Sequence, residues 1–289
     1  ALISNNAGGY SFVKSGANGR ILRYVFNQFD QPGRYLYLRD NETEDFWSAS
    51  WQPVGKDLDA YRSRCCHGTG YTRMEADYGG IHSEAVYYVP LGGSHEVWEL
   101  TVTNRSEKEM ELTLTGYAEF TNNGNYEQDQ VNLQYSQFIT RTMFDKNRIR
   151  QQIHGNLDSI AADGAVDEKN VVERFFGLAG ADVSSCCGDR AEFLGAYRGY
   201  GNPLGVESGD LGGRLNYNGN GCGALSAVVT LKPGETKTLA FLLGEKYAPE
   251  SEALLRAYQD PEKVRKGELE ELAACWHERL SHFRVRTPC

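Results

Sequence analysis

The sequence has no long hydrophobic run, no cluster of basic residues and only three methionines, none of them at position 1. Its longest purely apolar stretches, such as Leu239-Ala240-Phe241-Leu242-Leu243, fall far short of the roughly 20 residues needed to cross a bilayer, so no membrane partner is expected. Lys and Arg number 30 against 39 Asp and Glu, a formal net charge of −9. A nucleic-acid binder neutralises phosphates with clustered cations, so this balance excludes nucleic acid and argues against an anionic membrane surface. The opening Ala1-Leu2-Ile3-Ser4 lacks the basic and apolar regions of a secretory signal and reads as a cut within a longer chain. Seven cysteines, at 65, 66, 186, 187, 222, 275 and 289, include two adjacent pairs unlike the spaced frameworks of secreted domains, which points to a reducing, cytoplasmic location.

Several chemical motifs are missing as well. There is no phosphate-binding Gly-x-x-x-x-Gly-Lys-Ser/Thr and no Gly-x-Ser-x-Gly nucleophile elbow. The stretch from Gly199 to Gly205 has the wrong spacing for a dinucleotide fingerprint, and Pro203 reads as blocking the helix that must begin there, which leaves a loop. His277 and His282 are five apart, about 140° around a helix, and so do not face one metal. Cys65-Cys66-His67 lacks the two-to-four-residue spacing of structural zinc sites, even with Cys186-Cys187 as a second pair. Buried thiols are the simpler reading, and no metal site is assigned.

What is present is a globular composition, 40% hydrophobic and 24% charged, which predicts a sizeable core. From Tyr10 to about Gly244, runs rich in Val, Ile, Tyr, Phe and Thr alternate with Gly, Asn and Asp turns, and the 32 glycines fit many tight turns. Residues 81–90 and 96–103 predict a hairpin. Met110, Leu112 and Leu114 then alternate with polar residues, which continues the pattern as a meander. Residues 225–231 and 236–243 around Lys232-Pro233-Gly234-Glu235 predict a second hairpin. The fold class expected is all-β, a large antiparallel multi-sheet β-sandwich over residues 1–248. Residues 249–289 read as two helices, capped by Ser251 and by Asp260 before Pro261 and stopped by Pro288. Leu269, Leu272, Trp276, Leu280 and Phe283 form one apolar face on the second helix, which has to bury against the sandwich or a further domain.

The distinctive local composition is the amide-rich segment 121–135, with Asn122, Asn123, Asn125, Asn132 and Gln134 beside Tyr126 and Tyr135. Amides both donate to and accept from hydroxyl groups, and aromatic faces stack on the apolar side of a sugar ring. From composition alone the plainer reading is a solvated connecting loop.

Several segments occur together in an order that resembles the N-terminal domain of the inverting disaccharide phosphorylases of glycoside hydrolase family 94, the cellobiose and cellobionic acid phosphorylase group. They are residues 2–12 (Leu2 to Phe12), Arg20-Ile21-Leu22-Arg23-Tyr24, residues 32–40 from Pro32-Gly33-Arg34, and Phe46-Trp47-Ser48-Ala49-Ser50-Trp51-Gln52-Pro53. His67-Gly68-Thr69-Gly70-Tyr71-Thr72, Phe193-Leu194-Gly195, Pro233-Gly234-Glu235 and the stretch from Trp276 to Pro288 continue the series. The resemblance implies a supersandwich of the galactose-mutarotase-like type whose first strands lie upstream of Ala1. It also implies linker helices leading to an (α/α)6 catalytic barrel, absent from these residues, that carries the general-acid Asp. The implied enzyme is a glycosyltransferase: inorganic phosphate is co-substrate, no cofactor is used, and a β-glucoside is converted with inversion to α-glucose 1-phosphate and the released acceptor. By the same resemblance these residues alone hold no catalytic group. Their domain would serve dimerisation and the substrate entrance, with the amide-rich segment of one subunit of a homodimer reaching the neighbouring active site. Asn132 and Gln134 match the family's Asn-aromatic-Gln piece, with Leu133 in the middle position, while Asn122, Asn123 and Asn125 correspond more loosely.

Departures at Val13, Ser15, Ala17 and Gly19, and at Cys66 before His67, leave the acceptor sugar open, whether glucose, gluconate or another. Two other readings stay open. One is a stand-alone carbohydrate-binding or assembly module without catalysis. The other is an aldose-epimerase-like site in which His67 converges with a carboxylate.

Overall fold

A computed structural model describes residues 1–4, 6–13, 15, 18–23, 33–131, 133–153, 172–283 and 285. In chain order the elements are β1 (Leu2–Ile3), β2 (Gly9–Tyr10), β3 (Arg34–Asp40), β4 (Phe46–Ser48), β5 (Arg62–Gly68), β6 (Tyr71–Tyr78), β7 (Ile81–Tyr88), β8 (His95–Asn104) and β9 (Met110–Glu119). Next come α1 (Tyr126–Val131), α2 (Leu133–Phe138), β10 (Thr140–Asp145), β11 (Arg148–Ile153), β12 (Val172–Ala179), β13 (Ser185–Asp189), α3 (Arg190–Leu194) and α4 (Leu204–Glu207). The chain finishes with β14 (Gly221–Leu231), β15 (Thr236–Tyr247), α5 (Ala248–Ala257) and α6 (Pro261–Ser281).

The strands build an eight-stranded sheet in the order β10-β11-β12-β15-β8-β7-β6-β5 and a five-stranded sheet in the order β13-β14-β9-β3-β4, with β1 and β2 as a separate ribbon. Neighbours in the two large sheets pair antiparallel throughout. The fold is thus the antiparallel supersandwich expected from the sequence. Trp98, Leu100 and Val102 of β8 and Leu239, Phe241 and Leu243 of β15 face Leu112 and Leu114 of β9 and Leu225 and Ala227 of β14 across the core. Period-2 alternation puts these residues on one face of each strand. Ring packing demands absent side chains opposite it: a Cβ on Gly116 would lie 2.6 Å from the Phe241 ring, and one on Gly223 2.6 Å from Phe176.

Each sheet is also covered on its outer face. Phe193, Leu194, Val206 and Leu211 pack on Tyr35, Tyr37 and Tyr117 outside the five-stranded sheet. Leu255, Tyr258 and Leu272 of the C-terminal helical region pack on Val86, Tyr88, Val97 and Leu242 outside the eight-stranded sheet. The covering of the five-stranded sheet explains why β3, which carries Tyr35 and Tyr37, is buried along its whole length.

The expected hairpin of residues 81–90 and 96–103 is present, as β7 paired with β8. The meander and the second hairpin are not. β9 pairs with β3 and β14, and β14 and β15 lie in different sheets, so both connections are arches that cross from one sheet to the other. Alternating apolar residues look the same in a hairpin and in an arch, and only the long-range pairings of β8 with β15 and β9 with β14 decide between them.

Helix boundaries also shift. α5 begins at Ala248 with Pro249 in its first turn, upstream of Ser251, whose hydroxyl donates to the Ala248 carbonyl instead of capping. Asp260 caps α6 as expected, accepting from Lys263 N at 3.3 Å. Pro203 does not block a helix but precedes α4 as its N-cap residue. α6 ends at Ser281, ahead of Pro288, which lies outside the described residues. Its apolar face is buried only in part: Leu272 packs on the sheet, while Leu280 and Phe283 are exposed.

Candidate functional site

β9 delivers the chain into the amide-rich segment at one end of the sandwich. That segment is not a loop throughout, because most of it folds into α1 and α2. Asn125 caps α1, its Oδ1 accepting from Gln128 N at 3.0 Å, and Asn123 Oδ1 accepts from Asn125 N at 2.9 Å in a local turn. From inside α1, Asp129 Oδ1 reaches back to accept from Asn122 N at 2.7 Å and from Asn123 N at 3.2 Å.

The early segment around Arg20 to Arg23 lies alongside. Thr121 N donates to Ile21 O, Arg23 N to Glu119 O and Arg20 N to Gly124 O, so two motifs about a hundred residues apart meet. Buried Arg23 grips Asp129 with Nε and NH2, both at 3.2 Å, and its NH1 donates to Asn220 Oδ1 at 3.0 Å. Burial works against its charge, but Asp129 and Glu119 outweigh that and hold the guanidinium above its ordinary value. Buried Glu119 accepts from Tyr117 OH at 2.8 Å, from Arg190 Nε at 2.9 Å and from Tyr200 OH, and Arg23 NH1 lies 3.5 Å away. Beneath them, Arg174 donates to Thr121 O and to Gln151 Oε1, the latter at 3.0 Å. Its burial, only partly offset by Glu245 and Asp129, lowers its pKa.

The structure therefore splits the amides predicted from sequence. Asn122 is fully buried, and its Nδ2 donates to Asn220 Oδ1 at 2.8 Å, so this amide acts in the scaffold and is not presented to solvent. Asn125 is tied to Asn18 Oδ1 at 2.9 Å, while Gln134 is exposed on α2. Asn132 lies outside the described residues. On the solvent side the helical segment presents Val131, Tyr135 and Phe138, which are 74%, 62% and 64% exposed. Sequence reading missed Arg23, Glu119, Asp129, Asn220, Arg190 and Tyr200. Arg23 and Asn220 are 197 positions apart, and no local pattern links them.

The remaining candidates disperse. His67 Nδ1 bonds Thr72 Oγ1 at 3.0 Å and its Nε2 lies 3.6 Å from Cys65 Sγ. Glu96 lines the same cleft of about 630 Å³. Its carboxylate is already held by Arg34 at 3.1 Å, by Trp98 Nε1 at 2.9 Å and by Ser11. Cys65 and Cys66 sit on β5 and Cys186 and Cys187 on β13, edge strands of different sheets. Cys66 is exposed and Cys65 half-buried, so the buried-thiol reading holds for Cys187 and Cys222 but not for this pair.

The supersandwich has counterparts among known proteins. The profile described as "Glycosyl hydrolase 94, supersandwich domain" matches residues 1–261. The chain belongs to glycosyl hydrolase family 94. It is 35% identical over 289 residues to the N,N'-diacetylchitobiose phosphorylase of Vibrio proteolyticus, covering 99% of this chain and 34% of that protein. The enzyme of the same name from Vibrio furnissii is 34% identical over 289 residues with the same coverage. The solabiose phosphorylase of Paenibacillus borealis is 34% identical over 215 residues, 73% of this chain and 26% of that protein. The chain thus spans about a third of the length of the two Vibrio relatives. Within this glycosyl hydrolase 94 sandwich, Val13 packs partly buried against the core and lines a small cleft of about 140 Å³ with Ser11, His95 and Glu96.

Proposed function

We propose that the chain is the N-terminal domain of an inverting disaccharide phosphorylase, in which it shapes the substrate entrance and the dimer contact. The observation that carries this reading is the similarity over 99% of the chain to a disaccharide phosphorylase at 35% identity. The reaction is phosphorolysis: a phosphate oxygen attacks the anomeric carbon, the glycosidic C–O bond breaks, and a general acid protonates the leaving oxygen. Phosphate takes the place of the activated water of an inverting hydrolase, so one carboxylic acid suffices. That acid belongs to an (α/α)6 barrel outside the 289 residues, and the sandwich contributes position, not proton transfer.

The amide-rich segment supports the entrance role. Arg23, Asp129 and Asn220 hold it rigidly, and Gln134 with the Val131, Tyr135 and Phe138 patch is left on its outer side. In a homodimer that patch would face the neighbouring subunit and bring Gln134 and Asn132 toward its sugar. Cellobiose and cellobionic acid are the substrates drawn from the sequence motifs. N,N'-diacetylchitobiose, the substrate named for both Vibrio relatives, joins them as a third.

The test is to express the polypeptide encoded by the uninterrupted reading frame and incubate it with phosphate and each of these disaccharides. Release of a sugar 1-phosphate of α configuration from one of them is expected. Hydrolysis to two free sugars, or sugar binding with no turnover, would replace the reading with a hydrolase or with a binding module.

A further inference from the structure

Outside the five-stranded sheet, α3, α4 and the turn joining them frame a cleft of about 680 Å³ whose walls include Asp189, Arg190, Glu192, Tyr197, Arg198 and Arg214. The Tyr197 ring stands fully in solvent on its rim. Its backbone has φ 60, the left-handed region that costs an L residue on the order of 1–2 kcal/mol. The turn around it is pinned. Gly195 N donates to Ala191 O at 2.9 Å, Arg198 N to Gly195 O at 3.3 Å, and Gly199 N to Asn202 Oδ1 at 3.1 Å. Tyr37 OH donates to Tyr200 O at 2.9 Å, and a Cβ on Gly201 would lie 2.9 Å from the Pro53 carbonyl oxygen. A rigid frame therefore holds a strained residue so that its aromatic ring points away from the core, an arrangement that folding by itself does not favour.

The charges on the walls balance. Arg190 pairs with Glu119 at 2.9 Å, Arg198 pairs with Glu207, and Arg214 lies 3.8 Å from Asp189 and 3.5 Å from Glu192. An anion site keeps surplus guanidinium charge for its ligand, and these arginines are already neutralised. Arg214 and Glu192 are largely exposed and keep hydrogen-bonding capacity toward the cleft, which suits hydroxyl groups. We propose that this cleft binds a neutral oligosaccharide, with the Tyr197 ring as the stacking platform and Arg214 and Glu192 meeting the sugar hydroxyls. The size fits the usual range for ligand clefts. Arg190 also ties this cleft through Glu119 and Arg23 to the amide-rich segment.

The test is calorimetric titration of the full natural polypeptide with cellotetraose, with the tetrasaccharide of N-acetylglucosamine and with inorganic phosphate, in wild type, Y197A, Y197F and R214A. Because the Tyr197 side chain is solvent-exposed, Y197A is expected to keep the wild-type melting temperature. Support would be a neutral tetrasaccharide event that Y197A weakens by about tenfold and Y197F preserves. The proposal is overturned if neither tetrasaccharide binds, or if all binding is indifferent to Y197A, which would assign it to another site. It is equally overturned if phosphate binds in the cleft and R214A abolishes that binding, which would make it an anion site.

Discussion

Two buried side chains on β8 carry opposite pH dependences. His95 Nε2 lies 3.1 Å from Tyr258 OH, and burial, reinforced by Lys246, brings the imidazole from 6.5 down to about 4. With its folded value depressed, the stability it contributes is complete above 6.5 and is lost as pH falls toward 4. Glu99 has Arg265 Nε 3.0 Å from its Oε1, close enough to pair but without an aligned hydrogen bond. Burial pushes its carboxyl from 4.5 up to about 7, with Arg265 opposing and Glu84 and Glu262 assisting. With its folded value raised, Glu99 favours the fold fully below 4.5, and that contribution disappears as pH rises through 7. Between pH 7 and 5 each effect is worth about 2 kcal/mol with opposite sign, so the wild-type melting temperature should be nearly level across that interval. Glu99→Gln is expected to lose stability on acidification and His95→Gln to gain it. Parallel melting profiles for the three proteins would refute both assignments. Neither group is distinctive in the sequence, where His95 falls just before the predicted strand 96–103 and Glu99 is one polar residue within it. The C-terminal helices that cover the outer face of the eight-stranded sheet create their environments.

At the scale of elements, the two arches stack and Asn104 joins them. Its Nδ2 donates to Lys108 O at 2.7 Å in one arch and to Leu231 O at 2.9 Å beside the other, while its Oδ1 accepts from Ser106 N at 2.9 Å and Ser106 Oγ at 2.7 Å. Gly234 N donates to the Asn104 carbonyl at 2.8 Å, with Gly234 at φ 77, where its lack of a side chain is needed. Asn104→Ala removes four hydrogen bonds, among them the buried one to Leu231 O, a loss of about 3 kcal/mol. Urea unfolding would check this, and a midpoint equal to wild type would show that Asn104 is not the clamp. The strands were legible because alternation survives in any antiparallel setting. The arches were not, because their partners lie more than a hundred residues away.

For the whole molecule, four layers result: helices, eight strands, five strands, and helices again. The patch of Val131, Tyr135 and Phe138 stands outside all of them. If it is the dimer contact, the double substitution Tyr135→Glu with Phe138→Glu should convert dimers to monomers in light scattering while leaving the circular-dichroism spectrum unchanged, because both rings are exposed and neither supports the fold. Dimers that persist would move the contact elsewhere. The polar platform under that patch was only partly readable from sequence. Asn122, Asn123 and Asn125 stood out by composition, but Asn220, which takes up the Asn122 side chain, comes from 98 positions further along the chain.

The sequence by itself determined the strand-rich character, the two C-terminal helices, the cap at Asp260 and the family, because each rests on local periodicity, local capping or ordered motifs. Only the tertiary structure decided that the connections after β8 and after β14 are arches, that Asn122 turns inward, and that Tyr197 stands in solvent. Those outcomes depend on which distant strands pair and which faces become covered, and such long-range choices leave no mark in a short window of sequence.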